Sequence, residues 1–296
     1  MRRGGPRNIF LVHDGSGETL LYLNLAHRLP EDLAVFGVEP RRIARVPLAH
    51  TTIEEMAAFY IEQVRNEQPR GPYLLGGMCV GGVIAYEMAS QLVQAGEGVE
   101  LVALLDAARP RAAKKPWLTT TQRIGRLVQS LADAPNSGLG PWKRAGLVVR
   151  KTSQKAFNAA LWKIVDRGKR WAVQARFRLL RELLRRDLAW PKFVPALSAQ
   201  EICRCAEARY VPKPLSISSV VLARPQTGDG DDTPYHEIYA DEAFGWDTVA
   251  RHLAVVDVEG GHSSMLQERF VDSLAAALMP YLQQKAASIH EPKKTA

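Results

Sequence analysis

A chain of 296 residues, 46% of them hydrophobic, is long enough to bury one large α/β core. Its three cysteines are odd in number and have no paired spacing, which argues against a disulfide scaffold and for a reducing compartment. The apolar run after the basic start spans only residues 9–12, too short for a signal peptide or a membrane span. We therefore expect a soluble, cytoplasmic protein. Cys203 and Cys205 are too close together for a usual metal pair, so no metal is expected.

Strands and helices alternate over the first 106 residues. Residues 9–12 and 34–38 predict short buried strands, and the apolar face of residues 20–29 predicts a helix between them. Thr52 and Glu55 have the spacing of a capping box at the start of the next helix. The alternation predicts right-handed βαβ units and a mostly parallel sheet. In such a sheet, functional side chains gather at the carboxyl ends of the strands.

A glycine-rich turn follows the next apolar run, within residues 73–88. Strand, Gly-x-nucleophile-x-Gly turn and helix together are the context of a nucleophile elbow. Cys79 lies at the tip, where most such elbows carry serine. Gly77 and Gly81 supply the small neighbours that a strained turn needs. The alternative, a structural turn with a buried inert cysteine, does not explain why all three requirements coincide.

A nucleophile at such a turn needs a base and an acid that orients the base. His262 follows the last predicted strand in a Gly-Gly-His loop, and the order nucleophile, acid, histidine is that of α/β-hydrolases. His13, after the first strand, is its main rival. Asp106 is favoured as the acid because it ends an apolar strand, which is more rigid than the glycine-rich loop after the next core strand. That loop carries three competing acids, Asp229, Asp231 and Asp232.

Backbone N–H groups beside the nucleophile should form the oxyanion hole. One is that of Val80, directly after Cys79. The other should come from the loop after the first strand, with Gly15 favoured and Asp14 as the second choice. His13 belongs to this same loop, which weakens it as a candidate base.

Residues 109–210 interrupt the alternation and predict helices. Between residues 143 and 187 there are fourteen Lys or Arg and three acids, a net charge of +11 against +8 for the whole chain. We interpret residues 109–210 as a helical lid over the active edge, and a solvated basic surface is the competing interpretation. Residues 1–108 and 211–287 are then the α/β-hydrolase core, and residues 288–296 a disordered tail.

Several motifs resemble those of the thioesterase domains of nonribosomal peptide and polyketide synthases, an α/β-hydrolase family. They are residues 9–17, 77–82, 104–106, 245–246 and 261–266, in the order of the family. The resemblance implies a mostly parallel sheet with helices on both faces and a large helical lid. It also implies an acid after the strand that follows the elbow, which is Asp106. The chain departs from the family in Cys79 and in its long basic lid.

The resemblance implies release of an acyl or peptidyl chain through an acyl-enzyme on Cys79. The substrate would arrive on the phosphopantetheine arm of a carrier protein, with no other cofactor. A thioester acyl-enzyme is more activated toward amines and internal nucleophiles than an oxygen ester, which favours cyclisation or amide formation, with hydrolysis still open. An acidic carrier could dock on the basic lid, and we expect no nucleic-acid or membrane contact.

Three further functions are also compatible with the sequence. One is a standalone editing thioesterase that hydrolyses misloaded carriers. The second is a non-catalytic binding module with the hydrolase fold. The third is a cysteine hydrolase that acts on small molecules without a carrier.

Overall fold

A six-stranded sheet forms the centre of the computed structural model, which describes residues 1–2, 4–115 and 141–283. The strand order is β2-β1-β3-β4-β5-β6, and each neighbouring pair is parallel. The strands are β1 (Arg7–Val12), β2 (Leu33–Val38), β3 (Tyr73–Met78), β4 (Val99–Leu105), β5 (Ser219–Pro225) and β6 (Leu253–Val258). The parallel sheet confirms the prediction from the alternating pattern.

Helices connect these strands. They are α1 (Leu23–Arg28), α2 (Ile53–Glu67), α3 (Val80–Gln94), α4 (Pro141–Arg185), α5 (Ala199–Glu207), α6 (Tyr235–Ile238) and α7 (Val271–Leu282). Short 3₁₀ turns lie at Leu20–Tyr22, Gly230–Asp232, Trp246–Thr248 and Ser264–Leu266. No helix in these described ranges combines the length and hydropathy needed to cross a membrane.

Local sequence explains how these elements begin. The Thr52 side chain accepts a hydrogen bond from the Glu55 N–H (3.1 Å), while the Glu55 carboxylate accepts from the Thr52 N–H (3.2 Å), which confirms the predicted capping box at α2. The same reciprocal pair, Ser198 and Glu201, begins α5. The predicted helix over residues 20–29 is in fact a 3₁₀ turn that continues as α1.

Central strands of a parallel sheet are covered on both faces, which requires continuous apolar runs. All six residues of β3 are buried, as are most side chains of α3, which packs against it. Where β1 and β3 end, the hydroxyl of the buried Tyr22 donates to Val12 O (2.7 Å) and accepts from Met78 N (2.8 Å). The carboxyl ends of the two strands are therefore joined through one side chain directly below the elbow.

The chain divides into two compact units, Met1–Lys114 with Leu180–Ala296, and Lys115–Leu179. The first contains the sheet and residues 180–210, which the sequence analysis assigned to the lid. In the second, the structure describes α4 up to Leu179, with Trp162 and Trp171 exposed. The lid and the core boundaries stay predictions. The predicted tail, residues 288–296, lies outside the described residues.

Candidate active site

Cys79 lies between the end of β3 and the start of α3, at φ 56° and ψ −124°. A non-glycine residue in this region is strained and needs support from its surroundings. That support comes from both sides, because the Cys79 N–H donates to Leu105 O on β4 (3.0 Å) and Cys79 O accepts from the Gly82 N–H (3.1 Å). The half-buried thiol is consequently held at the carboxyl edge of the sheet.

The two glycines that flank Cys79 have no room for a side chain. A Cβ on Gly77 would lie 2.6 Å from Gly81 O, and a Cβ on Gly81 would lie 2.7 Å from Val12 O and closer still to His13 O. Such distances are shorter than real Cβ contacts, so any larger residue would push the elbow away from β1. The predicted elbow glycines thus have a steric reason for their place.

His262 and Asp106 are hydrogen bonded, with 2.6 Å between Nδ1 and Oδ2. Asp106 follows β4, is fully buried, and its N–H donates to Ala223 O on the neighbouring β5 (2.9 Å). His262 lies on the loop after β6 and is half-buried. Because Nδ1 is engaged with Asp106, Nε2 is the ring nitrogen left for proton exchange with Cys79.

The electrostatics of the pair favour a basic imidazole. Burial alone would lower the pKa of His262, but its hydrogen bonds with Asp106 and Cys79 outweigh burial and raise this pKa to about 10. Burial raises the pKa of Asp106 above its usual value, and the hydrogen bond from His262 opposes that rise. This arrangement makes His262 able to take the proton of the Cys79 thiol.

Tyr235 contacts Cys79, His262 and Asp106, and it was not among the site residues predicted from the sequence. Its hydroxyl lies 3.1 Å from Cys79 Sγ, and its N–H donates to Asp106 Oδ2 (3.1 Å). Its ring stacks on His262, with 4.6 Å between centroids and 18° between planes. The only signal in the sequence is an aromatic residue after the acidic loop that follows β5. Its meaning depends on how that loop folds back over the elbow.

Asp232, which competed with Asp106 for the role of the acid, has a different place. Its Oδ1 accepts from the N–H groups of Ser263 (2.7 Å) and Ser264 (3.0 Å), and its carbonyl accepts from His262 N–H (2.8 Å). Although burial raises its pKa, hydrogen bonds from Ser264 and Ser263 prevail and lower it. Asp232 therefore holds the loop of the histidine. Asp229 and Asp231, on the same loop as Asp232, are exposed.

His13, the rival base, is fully buried and engaged at both ring nitrogens. Its Nε2 lies 2.6 Å from the Tyr60 hydroxyl and its Nδ1 lies 2.6 Å from Asp14 O. Burial lowers the pKa of His13, so the neutral imidazole is favoured. These contacts hold the loop after β1 in place and leave neither ring nitrogen free for proton transfer at Cys79.

The loop after β1 comes close to the start of α3, as an oxyanion hole would require. A Cβ on Gly15 would lie 4.0 Å from Cγ1 of Val80. The Asp14 N–H donates to Glu18 O (3.1 Å), whereas the Gly15 N–H has no acceptor among the described residues. Gly15 remains the better candidate, and its pairing with Val80 stays a prediction.

Metal ligands are not clustered in the described part of the chain, where no three His, Cys, Asp or Glu side chains could hold an ion. All three cysteines are free thiols, and Cys203 and Cys205 are buried.

Comparison with known sequences finds a family match in the first half of the chain. The thioesterase domain family matches residues 7–139. Over 114 residues, 37% of this chain, it is 41% identical to the non-reducing polyketide synthase Preu8 of Preussia isomera. Over 105 residues, 35% of this chain, it is 41% identical to malpibaldin synthetase of Mortierella alpina. The aligned segments cover only 5% and 2% of these two relatives.

Solved structures match nearly the whole chain. The NocB thioesterase domain, in a covalent complex with a fluorophosphonate nocardicin G analogue, has a TM-score of 0.57 at 26% identity, over 96% of each chain. The surfactin thioesterase domain SrfTE shares the fold, with a TM-score of 0.53 at 16% identity over 95% of this chain and 93% of that chain. The sheet and the elbow thus define an α/β-hydrolase fold, which these thioesterase domains share. More particularly, residues 7–139 match the thioesterase domain family, and the relatives named above include a polyketide synthase and two thioesterase domains.

Proposed function

We propose that this domain releases an acyl or peptidyl chain from a carrier protein through an acyl-enzyme on Cys79, by cyclisation, amide formation or hydrolysis. The observation that carries the proposal is the thiol at the tip of the elbow beside a histidine that is hydrogen bonded to a buried carboxylate. Nucleophile, base and orienting acid are the parts that covalent acyl transfer requires. Cys79, His262 and Asp106 take these roles.

In the first half-reaction, His262 Nε2 takes the proton from the Cys79 thiol. The thiolate attacks the carbonyl carbon of the carrier thioester, and the oxyanion is stabilised by the N–H groups of Val80 and Gly15. A carbon–sulfur bond to Cys79 forms as the bond to the phosphopantetheine sulfur breaks. The departing sulfur receives the proton from His262, so no cofactor beyond the carrier's own arm is needed.

In the second half-reaction, an acceptor gives its proton to His262 and attacks the Cys79 thioester. The acylated acceptor leaves as the bond to the Cys79 sulfur breaks, and His262 returns the proton to that sulfur. Since a thioester reacts more readily with amines than an oxygen ester does, an amine or an internal nucleophile is the acceptor that Cys79 favours over water. The relative SrfTE, described as cyclising the lipopeptide surfactin, supports cyclisation as one outcome.

The carrier would dock on the basic part of the predicted lid, residues 143–187. Residues 143–187 carry a net charge of +11, and α4 contains all but two of them. Carrier proteins are typically acidic and their arm bears a phosphate, so opposite charge would steer encounter and orientation. The synthase relatives support a carrier as the partner. Association would then weaken as salt is added.

Intact-mass spectrometry tests the proposal. The protein is mixed with octanoyl- and phenylalanyl-pantetheine thioesters, alongside Cys79→Ala, His262→Ala and the matched control Cys203→Ala, whose thiol is buried. We expect an acyl adduct on Cys79 in the wild type and the control, none in Cys79→Ala, and slow formation in His262→Ala. Folded wild-type protein without an adduct from either thioester would contradict the proposal and favour a binding module.

The acceptor is then identified by adding an amine to the isolated acyl-enzyme. Amide product at millimolar amine supports transfer to a nucleophile. Release of free acid alone, at a rate that the amine does not change, would instead favour an editing thioesterase that hydrolyses misloaded carriers. The same panel with a free small ester in place of the thioester would detect a carrier-independent hydrolase.

A further inference from the structure

Tyr235 contacts each member of the proposed catalytic set through a different group. The N–H donates to Asp106, the ring stacks on His262, and the hydroxyl lies 3.1 Å from Cys79 Sγ. The first two contacts involve the backbone and the ring, which phenylalanine would keep. The third depends on the phenol oxygen alone, so its contribution can be separated by experiment.

The direction of the Tyr235 hydrogen bond follows from the chemistry of the two atoms. Once the thiol has lost its proton to His262, sulfur can only accept, and the phenol can only donate. Burial and the nearby Cys79 sulfur both raise the pKa of Tyr235 well above its ordinary value, so the phenol keeps its proton. Hydrogen bonds to an ionised partner are about twice as strong as neutral ones.

We propose that the Tyr235 hydroxyl donates a hydrogen bond to the Cys79 thiolate, and that this bond stabilises the reactive form of the nucleophile before acylation. The inference rests on the proposed function, since it takes Cys79 as the nucleophile. It adds a second donor to the reacting sulfur beside His262. Because Tyr235 is neutral, it stabilises the thiolate without competing with His262 for its proton.

The thiolate has titratable neighbours on four parts of the chain. They are His262 after β6, Tyr235 and Tyr239 at α6, Tyr22 before α1, and Cys203 on α5. The Tyr235 hydroxyl lies within hydrogen-bonding distance of the Cys79 sulfur, and Tyr239 packs against Tyr235 with 5.3 Å between the ring centroids. Tyr239→Phe is therefore a matched control that removes a neighbouring phenol oxygen.

The pH profile of alkylation measures thiolate stabilisation without any acyl transfer. Full-length wild-type protein, Tyr235→Phe and Tyr239→Phe are treated with iodoacetamide from pH 5 to 11, and modification of Cys79 is followed by peptide mass spectrometry. We expect the midpoint of the profile to rise by about one pH unit in Tyr235→Phe. In Tyr239→Phe the midpoint should equal that of the wild type. Above the midpoint, Tyr235→Phe should react as fast as the wild type or faster, because its thiolate has lost a hydrogen bond.

A merely structural role would slow alkylation at every pH and leave the midpoint unchanged. That result, or identical profiles for Tyr235→Phe and the wild type, overturns the inference and leaves the proposed function standing. A Cys79 that reacts no faster than the buried Cys203 at any pH overturns both. If Tyr235→Phe does not fold, 3-fluorotyrosine introduced at position 235 replaces it. This more acidic phenol should lower the midpoint, and an unchanged midpoint counts against the inference.

Discussion

The backbone carbonyl of Asp232 accepts the His262 N–H at 2.8 Å, and its carboxylate caps the next two residues of the same loop. An acid that the sequence offered as a partner for the imidazole thus holds the backbone on which the imidazole lies. Its influence on catalysis is through the position of His262, since the Nδ1 partner is Asp106.

Removal of the Asp232 carboxylate should loosen the histidine loop. We expect Asp232→Ala to slow acylation of Cys79 by about tenfold, corresponding to ~1.4 kcal/mol in the barrier, with little change in substrate KM. Single-turnover mass spectrometry measures the rate. Asp231→Ala, an exposed neighbour, is the control and should acylate at the wild-type rate. Equal rates in the two variants would show that the loop needs no carboxylate.

Asp106→Asn tests the acid directly. The amide keeps the volume of the side chain but cannot hold the imidazole in the same tautomer or stabilise its cation. We expect kcat to fall by about three to four orders of magnitude while KM changes little. Steady-state release of pantetheine thiol measures both. A loss below about tenfold would mean that His262 is oriented without Asp106, for example by the ring of Tyr235 that stacks on it.

Position 81 requires glycine because its backbone lies too close to the end of β1 for a side chain to fit. In Gly81→Ala the new Cβ would lie 2.7 Å from Val12 O, so the strand and the elbow must separate. We expect the free energy of unfolding to fall by about 3 kcal/mol. Gly168→Ala on α4, whose Cβ would meet nothing within 4 Å among the described residues, should instead be neutral or stabilising by up to ~1 kcal/mol. Urea unfolding followed by circular dichroism gives both values.

Stability should also depend on pH through His262. Its pKa in the folded protein, about 10, is above the ordinary value of 6.5, so the folded state binds a proton more tightly than the unfolded chain. The stabilisation is complete below pH 6.5 and is lost as pH rises toward 10. Wild type and His262→Gln, unfolded in urea at pH 6, 8 and 10, should differ most at pH 6 and least at pH 10. If the two proteins differed in free energy of unfolding by the same amount at all three pH values, the raised pKa of His262 would be contradicted.

Replacing the nucleophile by serine should alter product choice. Cys79→Ser keeps the elbow but forms an oxygen ester, which is less reactive toward amines. We expect the ratio of amide to free acid to fall when both variants are offered the same amine. Chromatography of the two products measures the ratio. An unchanged ratio would mean that the pocket, and not the acyl–sulfur bond, selects the acceptor.

The sequence was sufficient for features that depend on local pattern. The parallel sheet follows from continuous apolar runs that alternate with helices, and the elbow follows from glycine spacing around Cys79. Asp106 was favoured because a strand end is rigid, and the structure brings it to His262. The positions of β5 and β6 beside β4 could not be read from spacing, because a long insertion separates them from the first four strands.

Tyr235 and Asp232 show why other contacts of the candidate site could not be predicted from the sequence. Both lie on the segment after β5, whose sequence looks like a solvated glycine–aspartate loop. Their contacts form only when that segment folds back over the ends of β4 and β6, which is a tertiary arrangement. The acidic loop therefore contains one residue that touches Cys79 and another that holds the backbone of His262.

Tyr22 has a consequence for how the domain could diversify. Its hydroxyl oxygen lies between Val12 O and Met78 N, so one oxygen atom bridges the ends of the first strand and the elbow strand. The separation of the two strand ends at this point is set by the two hydrogen bonds to that oxygen. Loops around the site can then be exchanged while the separation between the ends of β1 and β3, beside Cys79, is inherited unchanged.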